Sequence, residues 1–216
     1  MMSQSRRVFA TALGAAGLGA VLSGCAPIII GTAAVGVLVA TDRRTSGAQL
    51  EDETIQLRAA GRIRENVGDR VHVNVNSYNR QVLLTGEVPN AQDRQLVEQI
   101  VSRVENVRAI VNELGVMGNS TLTQRSSDSL ITGRVKAAMV DAKDIFANSF
   151  KVVTERGTTY LMGRVTQREA NRATEITRST SGVQRVVRVL EIISEEELQR
   201  TLPQEPSRPA ASAPRP

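Results

Sequence analysis

Val82-Leu83-Leu84-Thr85-Gly86-Glu87-Val88 and Thr159-Tyr160-Leu161-Met162-Gly163-Arg164-Val165 are one pattern written twice. Each reads as a strand that ends on a glycine, a charged residue and a valine. A second pair follows, Asn106-Val107-Arg108-Ala109-Ile110-Val111-Asn112-Glu113-Leu114 against Gly182-Val183-Gln184-Arg185-Val186-Val187-Arg188-Val189-Leu190. The two offsets differ by one residue, so the copies lost or gained one position in between. Self-similarity at a fixed spacing marks a repeated structural unit. The unit boundaries are placed at 50–118 and 119–193.

The pattern around these strands gives the rest of the unit. In the first copy, Ile55, Ala59 and Ile63 recur at helical spacing over Asp52–Asn66. Val71 to Asn76 alternates as a half-buried strand, and a turn near Tyr78-Asn79-Arg80 leads into Gln81–Val88. Asn90 is placed to cap a helix with the stripe Leu96, Val97, Ile100 and Val104, and Val107–Val116 closes the unit. In the second copy Asp128 is read as the cap of a helix carrying Ile131, Val135, Ala138 and Met139. Phe150–Glu155, the turn Arg156-Gly157 and Thr158–Val165 form a hairpin. Thr166-Gln167-Arg168-Glu169 is a capping box, and Val183–Ile193 is the closing strand. The order is helix, strand, strand, helix, strand, twice. The fold class is therefore α+β, with helices on one face of each small sheet. A unit of this size buries a modest core and is expected to lean on its neighbour.

Composition narrows the chemistry. The 216 residues include one Cys, one His and no Trp. That excludes a disulfide framework and a closed zinc site, and it removes the usual nucleophile–base pairings. No phosphate-cradling loop and no H-E-x-x-H occurs. His72, between Val71 and Val73 in an alternating strand, reads as a polar face residue. Tyr78 and Tyr160 are too few for a base-stacking platform. The expectation is a binding protein, with no catalytic residue, no metal, no cofactor and no nucleic acid. Charge is uneven: residues 50–118 carry net −2 and residues 119–193 net +5. A basic half attracts anionic surfaces.

The N-terminus reads as an export signal over residues 1–24, with Arg6 and Arg7 before the apolar run Ala10–Leu22. Ser5-Arg6-Arg7-Val8-Phe9 fits a twin-arginine signal or an ordinary charged start. Leu22-Ser23-Gly24-Cys25 has the form of a lipobox, which makes Cys25 the lipidation site. Residues 25–49 then hold a second apolar run, Ile28–Ala40, too short to span a bilayer. The final stretch, 194–216, is rich in proline and is expected to be disordered.

The repeated L-x-G-x-V strand end and the later V-x-x-V-x-N/R-x-L strand resemble the BON domain, an αββαβ unit of bacterial envelope proteins. The order lipobox, apolar run, Thr41-Asp42-Arg43-Arg44, module, module is similar to that of dual-BON lipoproteins. The resemblance implies an outer-membrane lipoprotein facing the periplasm, whose second module binds anionic phospholipid and which supports envelope integrity. Ala26, where an aspartate would retain the protein, agrees with the outer membrane. By the same resemblance the first helix of the second module, about Ser129–Lys143, meets the membrane. The lipid-binding candidates are Leu130, Arg134, Lys136, Val140, Lys143 and Phe146. An aromatic that family members often carry at position 130 is absent, and Phe146 is placed to substitute. The alternative is an interaction scaffold for outer-membrane assembly or cell-division proteins, with membrane contact through the acyl anchor alone. In that case Leu130 packs on the first module, and Arg168, Arg172, Arg178, Arg185 and Arg188 form a solvated or partner-facing surface.

Overall fold

Thr45 starts the first helix by accepting a hydrogen bond from the Ala48 amide, and α1 runs Ser46–Val67. Its buried stripe is Asp52, Ile55, Ala59, Ile63 and Val67. The antiparallel hairpin β1 (His72–Tyr78) and β2 (Gln81–Val88) follows, turning on Asn79 and Arg80, both at positive φ. Asn90 caps α2 (Ala91–Ser102) by accepting from the Asp93 amide. The closing strand lies parallel to β2 in two pieces, β3 (Ala109–Asn112) and β4 (Gly115–Val116). The expected continuous strand is interrupted because Leu114 turns into the core between them. The computed structural model describes residues 42–201. Cys25, the export signal and the run Ile28–Ala40 lie outside the described residues, as does everything from Leu202 onward.

The second module repeats the plan with α3 (Leu122–Asp141), β5 (Phe150–Glu155), β6 (Thr158–Thr166), α4 (Gln167–Ser179) and β7 (Arg185–Ile193). Both its hairpin turn, Arg156-Gly157, and the Thr166–Glu169 capping box form as expected. One expectation is corrected. Asp128 does not cap α3; the helix starts two turns earlier, where Thr121 and Gln124 make a reciprocal capping box. Asp128 instead lies buried inside the helix and accepts from the amides of Arg156 and Gly157 at 2.8 and 2.9 Å. Asp52 does the same for the first hairpin, accepting from Asn79 N, Arg80 N and Ser77 Oγ. A second correction concerns the tail. Residues Glu195–Thr201 form the helix α5, with Leu198 buried, where disorder was expected; the rest of that stretch lies outside the described residues.

Each module keeps its main core between its helices and one face of its sheet. The other faces meet. Tyr78 and Leu83 from the first sheet pack with Tyr160, Met162 and Val189 from the second, joined by Val111, Val153 and Val187. The described chain is thus layered helix, sheet, sheet, helix, and the expected mutual support of the copies runs through this seam. The signature glycines sit where backbones crowd. A Cβ on Gly86 would lie 2.1 Å from the His72 carbonyl oxygen, and one on Gly163 2.5 Å from that of Ser149.

Candidate functional site

Helix α3 is apolar on two faces. Asp128, Ile131, Val135 and Met139 point inward. At 100° per residue, Leu122, Ser126, Leu130, Gly133, Ala137 and Val140 fall within about 80° of arc on the opposite side. Leu122, Leu130 and Val140 are 79, 63 and 69% exposed. A Cβ on Gly133 would meet open space. The stripe is therefore smooth, uncovered and about 27 Å long. Arg134 and Lys136 flank it on opposite sides by the same arithmetic. Lys143 and Phe146 follow the helix end, both exposed. Ile145 takes the buried place there and leaves Phe146 outside.

All six residues singled out from the sequence are thus exposed on or beside one helix, and Lys136 also lines a recess with Arg44, Asp52 and Lys151. Leu130 does not pack on the first module. The arginines of α4 and β7 are mostly engaged within the fold: Arg172 pairs with Asp144, Arg168 lies near Glu195, and Arg185 pairs with Glu113. Among the described residues no helix is long and apolar enough to cross a membrane.

A second cluster lies in the seam. Glu87, fully buried, accepts from Arg156 Nε at 2.6 Å and lies 2.8 Å from His72 Nδ1. It also accepts from the amide and hydroxyl of Ser120, in the link between modules. Burial opposes ionisation of Glu87, but Arg156, Ser120 and His72 outweigh it and hold the carboxyl below its ordinary range. Glu155 fares differently. It accepts from Asn74 Nδ2 at 2.7 Å, and burial pushes its carboxyl up. Lys151, on the same strand, donates to Gln56 and to the Ser77 carbonyl, and burial pushes its ammonium down to about 8.

His72, Glu87 and Glu155 bring ligand-type atoms within 4.8 Å of one another. Glu87, however, is already saturated by Arg156, Ser120 and His72, so this group reads as a seam of hydrogen bonds. Sequence reasoning missed the seam. The available signal was the difference between copies in the signature strand, Gly86-Glu87-Val88 against Gly163-Arg164-Val165, with a charge alternating in phase with Leu83.

Comparison with known proteins follows the same lines. Residues 51–118 and 127–194 each match the family model of the BON domain. The outer membrane lipoprotein DolP of Haemophilus influenzae is 37% identical over 174 residues, covering 80% of this chain and 90% of that one. The 21 kDa hemolysin of Actinobacillus pleuropneumoniae is 29% identical over 154 residues, covering 70% and 79%. Among solved structures, CdsD of the Chlamydia trachomatis type III secretion system aligns over 65% of this chain and 95% of its own, at 14% identity and a TM-score of 0.29.

Proposed function

The chain belongs to the BON-domain family, and from that premise we propose that it is an outer-membrane lipoprotein, acylated at Cys25 and facing the periplasm. In this reading the second module rests on anionic phospholipid through α3 and so supports envelope integrity. The relationship to DolP, an outer membrane lipoprotein by name, supports the location. The observation that carries the lipid contact is the uncovered stripe of Leu122, Leu130 and Val140 with cations on both flanks. Apolar groups enter the interface while Arg134, Lys136 and Lys143 remain at headgroup level, each basic group adding about 1 kcal/mol near an anionic surface. Phe146 brings an aromatic to the same level.

The test is co-sedimentation of a soluble chain beginning at Asp42 with phosphatidylglycerol-containing and with purely zwitterionic vesicles. Binding is expected to the first, weaker at high salt, and reduced more than tenfold by Leu130→Asp with Val140→Asp. Both positions are exposed, so the fold is retained. Equal binding by the variant sinks the proposal.

A second reading, docking of envelope assembly or division proteins, draws on Leu50 and Leu57. These leucines lie one above the other on the outer face of α1 and are 66 and 76% exposed. Crosslinking from that face in intact cells, with loss of a defined adduct in Leu57→Asp, tests it.

A further inference from the structure

Asp42, Arg43 and Arg44 precede both modules and are fastened to both. Arg43 reaches the second module. Its guanidinium grips Glu169 with two hydrogen bonds of 2.7 and 2.8 Å and donates to the Arg164 carbonyl oxygen at 3.0 Å. The two side chains are 4 and 1% exposed. Burial opposes ionisation of Glu169, yet Arg43 and the Thr166 amide hold its carboxyl below the ordinary range. Arg44 reaches the first module. It bridges Asp42 and the buried Asp52, at 2.8 Å each, and lies 4.2 Å over the Tyr78 ring.

Neighbouring residues of one segment therefore hold different modules, at the point where the chain is about to enter α1. Both acceptors are structural hubs: Glu169 completes the α4 capping box and Asp52 holds the first hairpin turn. The α4 end that Arg43 grips also holds the loop after α3, since Arg168 donates to the Asp144 carbonyl oxygen and Arg172 pairs with the Asp144 carboxylate.

We propose that Asp42–Arg44 is a clasp that joins the two modules and fixes the exit of the N-terminal segment on the second one, beside the loop bearing Lys143 and Phe146. A restraint arriving along the segment from the acylated Cys25 to Thr41 then acts on the second module before it reaches the first. The modules separate only after the clasp opens. A bidentate guanidinium–carboxylate fork with both groups out of water suits this role, because breaking one partner leaves the other buried and unpaired.

The clasp also makes a prediction about chemistry. Arg43-Arg44 is a dibasic sequence at the edge of a folded body, the kind of place where trypsin cuts readily. Closed, both guanidinium groups are occupied and largely out of water, so neither can enter the protease's specificity pocket. The full chain, held in detergent micelles, is digested with limiting trypsin and cleavage after residues 43 and 44 is followed by mass spectrometry. The native chain is expected to resist there. Glu169→Gln is expected to be cut at least tenfold faster, although glutamine still serves the capping box. Arg43→Lys, still a trypsin site but without the fork, is expected to behave alike if Glu169→Gln proves poorly folded.

Hydrogen exchange supplies the second readout. Arg43→Ala should raise exchange at least tenfold at the start of α4 and also in the first turn of α1, which Arg43 does not touch. Rapid cutting of the native chain at these bonds overturns the clasp. So do equal cutting rates in native and variant chains, or exchange changes confined to the start of α4.

Discussion

Replacing Glu87 by alanine tests whether the seam is fixed by its buried charge. The side chain is fully buried and accepts from Arg156, His72 and both donors of Ser120. Removing one member of a buried ion pair costs about 3–5 kcal/mol, because the partner is left uncompensated. Arg156 is 35% exposed and water can reach its open side, which places the cost near the lower end, about 3 kcal/mol. At about 2–4 °C per kcal/mol for a chain of this size, the melting temperature should fall by about 6–12 °C. Calorimetry of Glu87→Ala, Arg156→Ala and the double variant completes the cycle. The double variant should be less destabilised than the two single effects combined, by about 1–2 kcal/mol. Additivity within about 0.5 kcal/mol would mean that the pair is independent, and the reasoning about the seam would be refuted.

The signature glycines should differ in cost when changed to alanine. Gly163→Ala crowds chiefly the Ser149 carbonyl, whereas Gly86→Ala meets the His72 carbonyl more closely and must also hold φ at +112°. Losses of about 2 and about 4 kcal/mol are expected from urea unfolding. Asp52→Ala should cost more than Asp128→Ala, about 3 against about 2 kcal/mol in the same assay, because Asp52 accepts from Ser77, Asn79, Arg80 and Arg44 and Asp128 from two turn amides. Stability should depend on pH through Lys151. Its ammonium titrates at about 8 in the fold against 10.5 in the open chain. Between those values the unfolded chain binds more protons, so stability rises with pH across that window. Lys151→Met should raise stability at pH 7 and abolish the rise, and an unchanged slope in thermal melts at pH 8 and 10 would count against this assignment.

The repeat was legible because it rests on local rules. Alternation marked the strand Val71–Asn76, the repeated motif marked Gln81–Val88 and Thr158–Val165, Asn90 and Thr166 announced their helices, and the α1 and α3 core stripes follow helical spacing. The exposed residues of α3 were legible too, since whatever falls off a core stripe lies outside. Asp128 was misplaced for an instructive reason. A short acidic residue ahead of an apolar run looks like a cap, while its partners, the turn amides of Arg156 and Gly157, are distant in sequence. The seam was illegible for the same reason. Leu83, Tyr160 and Met162 belong to the consecutive apolar runs Val82-Leu83-Leu84 and Tyr160-Leu161-Met162, which mark strands buried on both faces but do not say what covers the second face.

The seam also explains why two similar copies carry opposite charges at one signature position. Its apolar centre is small, five buried residues with three partly buried ones around them. Its margins are charged, and two of those charges are held unfavourably, since burial raises the Glu155 carboxyl and lowers the Lys151 ammonium. Apolar replacements of similar volume would serve stability as well or better. The charges must therefore act on geometry. Two sheets packed through a few apolar side chains can slide or rotate at little cost, but Glu87 with Arg156 and Glu191 with Arg108 favour one register. At the equivalent signature position, Arg164 of the second copy lies near Glu191 and pairs with Glu197 of α5. The difference at that position gives the two copies of one strand different partners, Glu87 across the seam and Arg164 within the second module. A fixed seam gives the α3 stripe a constant orientation relative to the residue where the N-terminal segment joins the body.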